Sequence, residues 1–297
     1  MPTNTAARFG AQSSLVSSNA PMQSDAAAAG LLFVGGGDKP QINVFPEFGG
    51  TRQIATISKG LSGSGAVTLD RAGNLFDTAG PNNTVVEYAP PYTGAPIASF
   101  STGTNSMDAP TGVTVGPDDT VYVSEIVGGA FGAGQVVVFP PHSSVISRTL
   151  SATFAGFMTT DAKGDLFVAV EGTSDVEEFK PGSTQGTRLG LKGLLIVGGV
   201  TFDTTGNLLV ANEVCTVSSC IPEIDVFAPG SKTRAQSIGS GRFVSAEGLA
   251  LSRNGTRLFV GDSETQQHPS TVFELAYPSG KLIARIENPG TTVAVTR

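Results

Sequence analysis

Oxygen-bearing side chains recur at one place in the repeats of this chain. Four residues past a recurring Leu or Val in the second strand of each repeat stand Gly36, Ala79, Glu125, Val170, Asn212 and Asp262, with Glu171 and Glu213 one step further. Hard divalent cations take several carboxylate and amide oxygens at once, so Glu125, Asn212, Glu213 and Asp262 crowded onto one face could hold Ca²⁺ or Mg²⁺. The competing reading is local: Asp or Asn at a strand end accepts hydrogen bonds from turn amides and does nothing else. Nucleophilic chemistry has less support. Ser62 and Ser64 in GLSGSGA do not satisfy G-x-S-x-G, and of the two histidines His142 follows Pro140-Pro141 and His268 precedes Pro269, neither placed as a base. GGAFGAG at 128–134 lacks phosphate-loop spacing and opens no helix, so it reads as a hairpin tip. Cys215 and Cys220, with four residues between them in CTVSSC, are close enough in sequence for a hairpin disulfide; the alternative is two free thiols in a cytosolic loop. A metal site there lacks a third and fourth ligand nearby in sequence.

The elements that must position these residues are short and periodic. GAVTL at Gly65, GVTVG at Gly112, GFMTT at Gly156, GVTFD at Gly199, GLALS at Gly248 and TVAVT at Thr292 begin 43 to 49 residues apart. Each of the first five is followed by a tight turn (DRAGN, PDDT, DAKGD, DTTGN, SRNGT), a second apolar strand, and an aromatic residue running into Pro: Tyr88 to Pro90, Phe139 to Pro140, Phe179 to Pro181, Phe227 to Pro229, Tyr277 to Pro278, with Phe45 to Pro46 near the start. Proline cannot donate to a ladder and so marks where the third strand ends. In the repeat from Gly112, Val113 to Val115, Val121 to Ser124, Val136 to Phe139 and Val145 to Leu150 read as four strands. Strands such as VTV, VYV and VVV are apolar at nearly every position, so both faces need cover. Blades stacked side by side supply it without helices, and a repeat of this length made of short strands is the signature of a β-propeller.

The termini complete the count. LLFVGG reads as a second strand with no first strand before it, and TTVAVTR at 291–297 reads as a first strand with nothing after it. Pairing Thr291–Arg297 with Leu31–Val34 would close the ring. The expectation is an all-β, six-bladed β-propeller of four-stranded antiparallel blades spanning 30–297, closed by the C-terminal strand joining the N-terminal blade. Residues 1–29, rich in Ala, Ser, Thr and Asn, read as an unstructured leader without the basic and apolar regions of a signal peptide.

Composition narrows the partners. A net charge of −7 and 14% charged residues disfavour nucleic acid and anionic membrane, which need a basic face. No segment approaches the roughly 20 apolar residues needed to cross a bilayer. A lone close cysteine pair fits an oxidising compartment, secreted or periplasmic, with the cytoplasm as the alternative.

GVTFDTTGNLLVAN and GVTVGPDDTVYVSE resemble NHL-type repeats, and residues 31–297 are similar to the six-bladed superfamily that holds the senescence-marker-protein and gluconolactonase enzymes, the paraoxonases and strictosidine synthase-like proteins. That resemblance implies a fold, since such members include lactonases, lyases and binding scaffolds. Gluconolactonase-like members carry a Glu, two Asn and an Asp at the axial ends of the first strands, where they hold a divalent cation; here those positions are Ser64, Thr111, Ala155, Gly198, Glu247 and Thr291, so the resemblance implies one ligand, Glu247. Virginiamycin B lyase-like propellers depend on a central His that neither His142 nor His268 supplies. The expectation is a monomeric, non-catalytic propeller that binds a protein, peptide or small-molecule ligand through one face. The alternative is a metal-dependent hydrolase of lactonase or esterase type, or a lyase, with Glu247 joined by Glu125, Asn212 and Asp262.

Overall fold

Leu31–Gly35 is buried along its whole length, and its alternating side chains explain why. Leu31 and Phe33 pack into one apolar cluster while Leu32 and Val34 pack into another. The pleat sends successive residues to opposite faces, so this sheet is the filling between two neighbours. The same holds around the molecule. Six apolar clusters fill the gaps, one for each adjacent pair of sheets. The computed structural model describes residues 30–63, 65–80, 82–102, 109–126, 134–152, 155–170, 174–215, 219–263 and 269–296.

Among the described residues there are six four-stranded antiparallel sheets and no helix. Blade 1 is built from Thr292–Val295 on the inside, then Leu31–Gly35, Ile42–Pro46 and Ala55–Ile57. Its closing register pairs Leu32 with Val295, Phe33 with Ala294 and Val34 with Val293. Leu31 N–H donates to Thr296 Oγ1 at 2.7 Å, fastening the join at one end. Blades 2 to 6 follow in sequence, with inner strands Val67–Leu69, Ala109–Val115, Ala155–Thr160, Ile196–Phe202 and Ala246–Leu251. Each inner strand touches the next, and the last touches Thr292–Val295, so the circle is complete.

Local chemistry sets the spacing. In the turn after the inner strand, Gly73, Gly164, Gly206 and Gly255 adopt positive φ, and Asp119 does so in blade 3. The Asp that opens the turn caps it: Asp70 Oδ1 accepts from Asn74 N–H at 2.7 Å and Asp203 Oδ1 from Asn207 N–H at 2.8 Å. The aromatic anchors Phe45, Tyr88, Phe139, Phe179 and Phe227 are buried at the ends of third strands. In blade 3 the outer strand is Arg148–Ser151, three residues later than Val145: the hairpin turn runs on until Ser147 N–H reaches Val138 C=O at 2.8 Å, leaving Val145 exposed. The inner strand begins earlier than Val113, at Ala109, across a bulge between Pro110 and Gly112.

Cys215 and Cys220 are joined in a disulfide. They sit opposite each other at the end of the hairpin formed by Leu208–Cys215 and Cys220–Phe227. No described helix is long and apolar enough to cross a membrane. The leader 1–29, Ser64, Glu171, His268 and most of the 128–134 hairpin tip lie outside the described residues.

Candidate functional site

Antiparallel pairing decides where the candidate residues lie. Each second strand ends beside the start of its inner strand: Glu125 pairs with Pro110, Asn212 with Val197, and Asp262 with Ala246. Glu125, Asn212, Glu213, Glu247 and Asp262 therefore all belong to one end of the ring, the mouth opposite the inner-to-second-strand turns. They do not meet at one point.

Three of them come together between blades 5 and 6, around Ser245. Ser245 N–H donates to Asp262 Oδ1 at 2.8 Å, and Ser245 Oγ donates to Glu213 Oε1. Val244 N–H lies 3.0 Å from both oxygens of Asp262. Glu247, two residues along, accepts hydrogen bonds from Thr291 and Ser263. Burial holds the Glu247 carboxyl above the ordinary carboxylate range, and the charges of Asp262 and Glu213 push the same way, against those two hydrogen bonds.

The other two candidates are used differently. Asn212 is buried; its Oδ1 accepts from Leu195 N–H at 2.9 Å, and its Nδ2 donates to Gly193 C=O at 3.1 Å and Asp225 Oδ2 at 2.9 Å. Asp225 in turn accepts from Arg234 at 2.9 Å, and Arg234 also pairs with Glu223. Asn212 thus ties its strand end to an ion-pair network inside blade 5. Glu125 is fully buried in blade 3, on the far side of the ring from blade 6, and accepts from Gln135 Nε2 at 2.8 Å. His142 sits at positive φ in an exposed hairpin turn after Pro141.

Apolar surface adjoins the acidic group. Ile196 and Pro222 are the cross-strand partners of Glu213. Leu195, Ile196 and Ile221 are 43%, 45% and 40% exposed, which is unusual for side chains of this size next to a core. The Cys215–Cys220 bridge holds the hairpin that carries Ile221 and Glu213. Ser245 and Ser263 are the contributors that residue types alone do not reveal, since a Ser beside a strand is ordinary turn chemistry. Their signal is positional: they flank the inner and second strands whose ends carry Glu247 and Asp262.

The opposite mouth has another character. A cavity of about 730 Å³ runs along the axis to the inner-to-second-strand turns, lined by all six inner strands, and Arg71, Lys163 and Arg253 stand at its rim. None of the five candidates lines it. The rim carboxylates Asp70, Asp161 and Asp203 are committed to turn amides. Among the described residues, one trio of His, Cys, Asp or Glu has ligand atoms all within 4.8 Å of one another: Glu213 with Cys215 and Cys220. Both sulfurs are already in a disulfide, so neither is a thiolate donor.

No family model matches the chain, and no curated protein does. Solved structures do match. A protein of unknown function from Bacteroides caccae superposes with a TM-score of 0.64 at 15% identity, covering 91% of this chain and 99% of that one. A chain of a nidogen/laminin complex gives a TM-score of 0.63 at 11% identity over 90% and 98%. A catalytically inactive virginiamycin B lyase from Staphylococcus aureus, crystallised with quinupristin, gives 0.55 at 14% over 84% and 77%. At these identities the likeness establishes the propeller fold and nothing finer.

Proposed function

We propose that the protein is a non-catalytic, NHL-like binding propeller that captures a cationic peptide side chain at the mouth between blades 5 and 6, outside the cytoplasm. The observation that carries this reading is the gathering of Glu213, Glu247 and Asp262 around Ser245 beside exposed Leu195, Ile196 and Ile221. The acidic group supplies charge, and the apolar side chains supply contact area to a neighbouring residue of the ligand. Guanidinium suits the spacing. The three carboxylates are not among the trios with ligand atoms within 4.8 Å, so they are more widely spread than one dehydrated Ca²⁺ needs, whereas the planar fork of an Arg side chain bridges separated oxygens with five donors.

The reading predicts that the full chain, purified without chelator, binds acetyl-Leu-Arg-Leu-amide in isothermal titration and ignores the Glu analogue. Replacing Glu213 and Glu247 together by Gln should weaken that binding at least tenfold, at about 1.4 kcal/mol per tenfold. Turnover of lactones or esters in the presence of a divalent cation, abolished by Glu247→Gln, would instead establish a metal-dependent hydrolase built on Glu247 with Glu125, Asn212 and Asp262.

A further inference from the structure

The six blades repeat one core position, and one blade breaks it. In the second strand, the position two residues on from the Leu or Val that follows the turn is Val34 in blade 1, Val123 in blade 3, Val168 in blade 4, Val210 in blade 5 and Val260 in blade 6, all fully buried. In blade 2 that residue is Asp77, 1% exposed. The register confirms the equivalence: Asp77 pairs with Val67, as Val123 does with Val113, Val168 with Met158, Val210 with Val200, Val260 with Leu249 and Val34 with Val293.

Cross-strand partners share a face, so the side chain of Asp77 points where Val67 and Val86 point. Those two belong to the apolar cluster between blades 1 and 2, with Phe33, Ile42, Val44 and Ala294. Ala294 lies on the chain-closing strand. The titratable members of the cluster are Tyr88 and Tyr92, whose hydroxyls donate to Lys59 C=O and Gly73 C=O. Asp77 Oδ1 accepts from Ala79 N–H at 2.6 Å, and Oδ2 is sealed from solvent with no hydrogen-bond partner among the described residues. A carboxylate ion there is far costlier than a neutral carboxyl.

We propose that Asp77 makes the seam between blades 1 and 2 an acid-stabilised latch on ring closure: protonated, it packs as a neutral group against the closing blade, and ionised, it loosens that seam. The balance agrees with burial pushing the Asp77 carboxyl up to about 7 against the Ala79 amide, which pulls it down. The charge also acts on its neighbour, since Asp77 helps raise the Tyr88 hydroxyl. The folded protein then keeps a proton that the unfolded chain has released from about pH 4 upward. Stability from this group is complete below the ordinary carboxylate range and is lost as pH rises through neutrality.

Urea unfolding of the full chain, Asp77→Val and Asp77→Asn, followed from pH 4 to pH 8.5, tests the latch. The ratio of folding equilibrium constants, variant over wild type, should rise with pH by up to about 10³-fold, one decade per unit of displacement, and level off above pH 8. Parallel pH profiles for wild type and both variants would overturn the proposal. Should neither variant fold, the carbon-13 carboxyl resonance of Asp77 in the unaltered protein decides: a midpoint near neutral supports the latch, and one below pH 5 refutes it.

Discussion

The seam between blades 5 and 6 and the seam between blades 1 and 2 both hold acidic side chains, and the surroundings give them opposite characters. Around Ser245, Asp262 and Glu213 receive hydrogen bonds from two backbone amides and a hydroxyl, and Glu247 receives them from Ser263 and Thr291. Asp77 has one amide and apolar walls. Donors satisfy the carboxylate oxygens at the mouth; their absence turns a single carboxylate into a group whose ionisation works against the fold. The difference lies in what the neighbouring loops supply and not in the residue type.

The comparison breaks most visibly if a second apolar seam is given the same carboxylate. Val260→Asp places one in the blade 5–6 cluster at the position equivalent to Asp77, and should lower stability by about 4 kcal/mol at pH 8 and by clearly less at pH 4.5, read from urea midpoints. Next in size, Asp262→Ala leaves the Val244 and Ser245 amides without their acceptor. It should cost about 2 kcal/mol at neutral pH in thermal unfolding, with most of that recovered in Asp262→Asn. Smallest is Glu247→Gln. Because burial and like charge hold Glu247 in a mildly unfavourable state, neutralising it should move stability by less than about 0.5 kcal/mol at pH 7. A large loss would show that Glu247 is a structural anchor.

Architecture was legible because it is written in period and punctuation. Turn glycines, exit prolines and two-sided apolar strands are local, and they repeat, so even the pairing of Thr292–Val295 with Leu31–Gly35 follows from what each terminus lacks. The outer strand of blade 3 was less so, because VISRTL is apolar enough to read as strand from Val145 while its hydrogen bonding begins later. The site was legible only as a set of positions. Repeat register places Glu125, Asn212 and Asp262 at one end of the ring, but which of them gather depends on donors from loops between blades, such as Val244 and Ser245, that follow no repeat. Asp77 is visible in the sequence as the one acid in a column of valines, yet its meaning needed the register that puts it in the closing seam.

Which mouth of the ring receives the ligand is tested most directly by a backbone hydrogen–nitrogen correlation spectrum of the full chain titrated with acetyl-Leu-Arg-Leu-amide. Saturable shifts are expected at Glu213, Ile221, Ser245, Glu247 and Thr291, with the signals of Arg71, Lys163 and Arg253 unmoved. Shifts confined to Arg71, Lys163, Arg253 and the 730 Å³ cavity they border would contradict it.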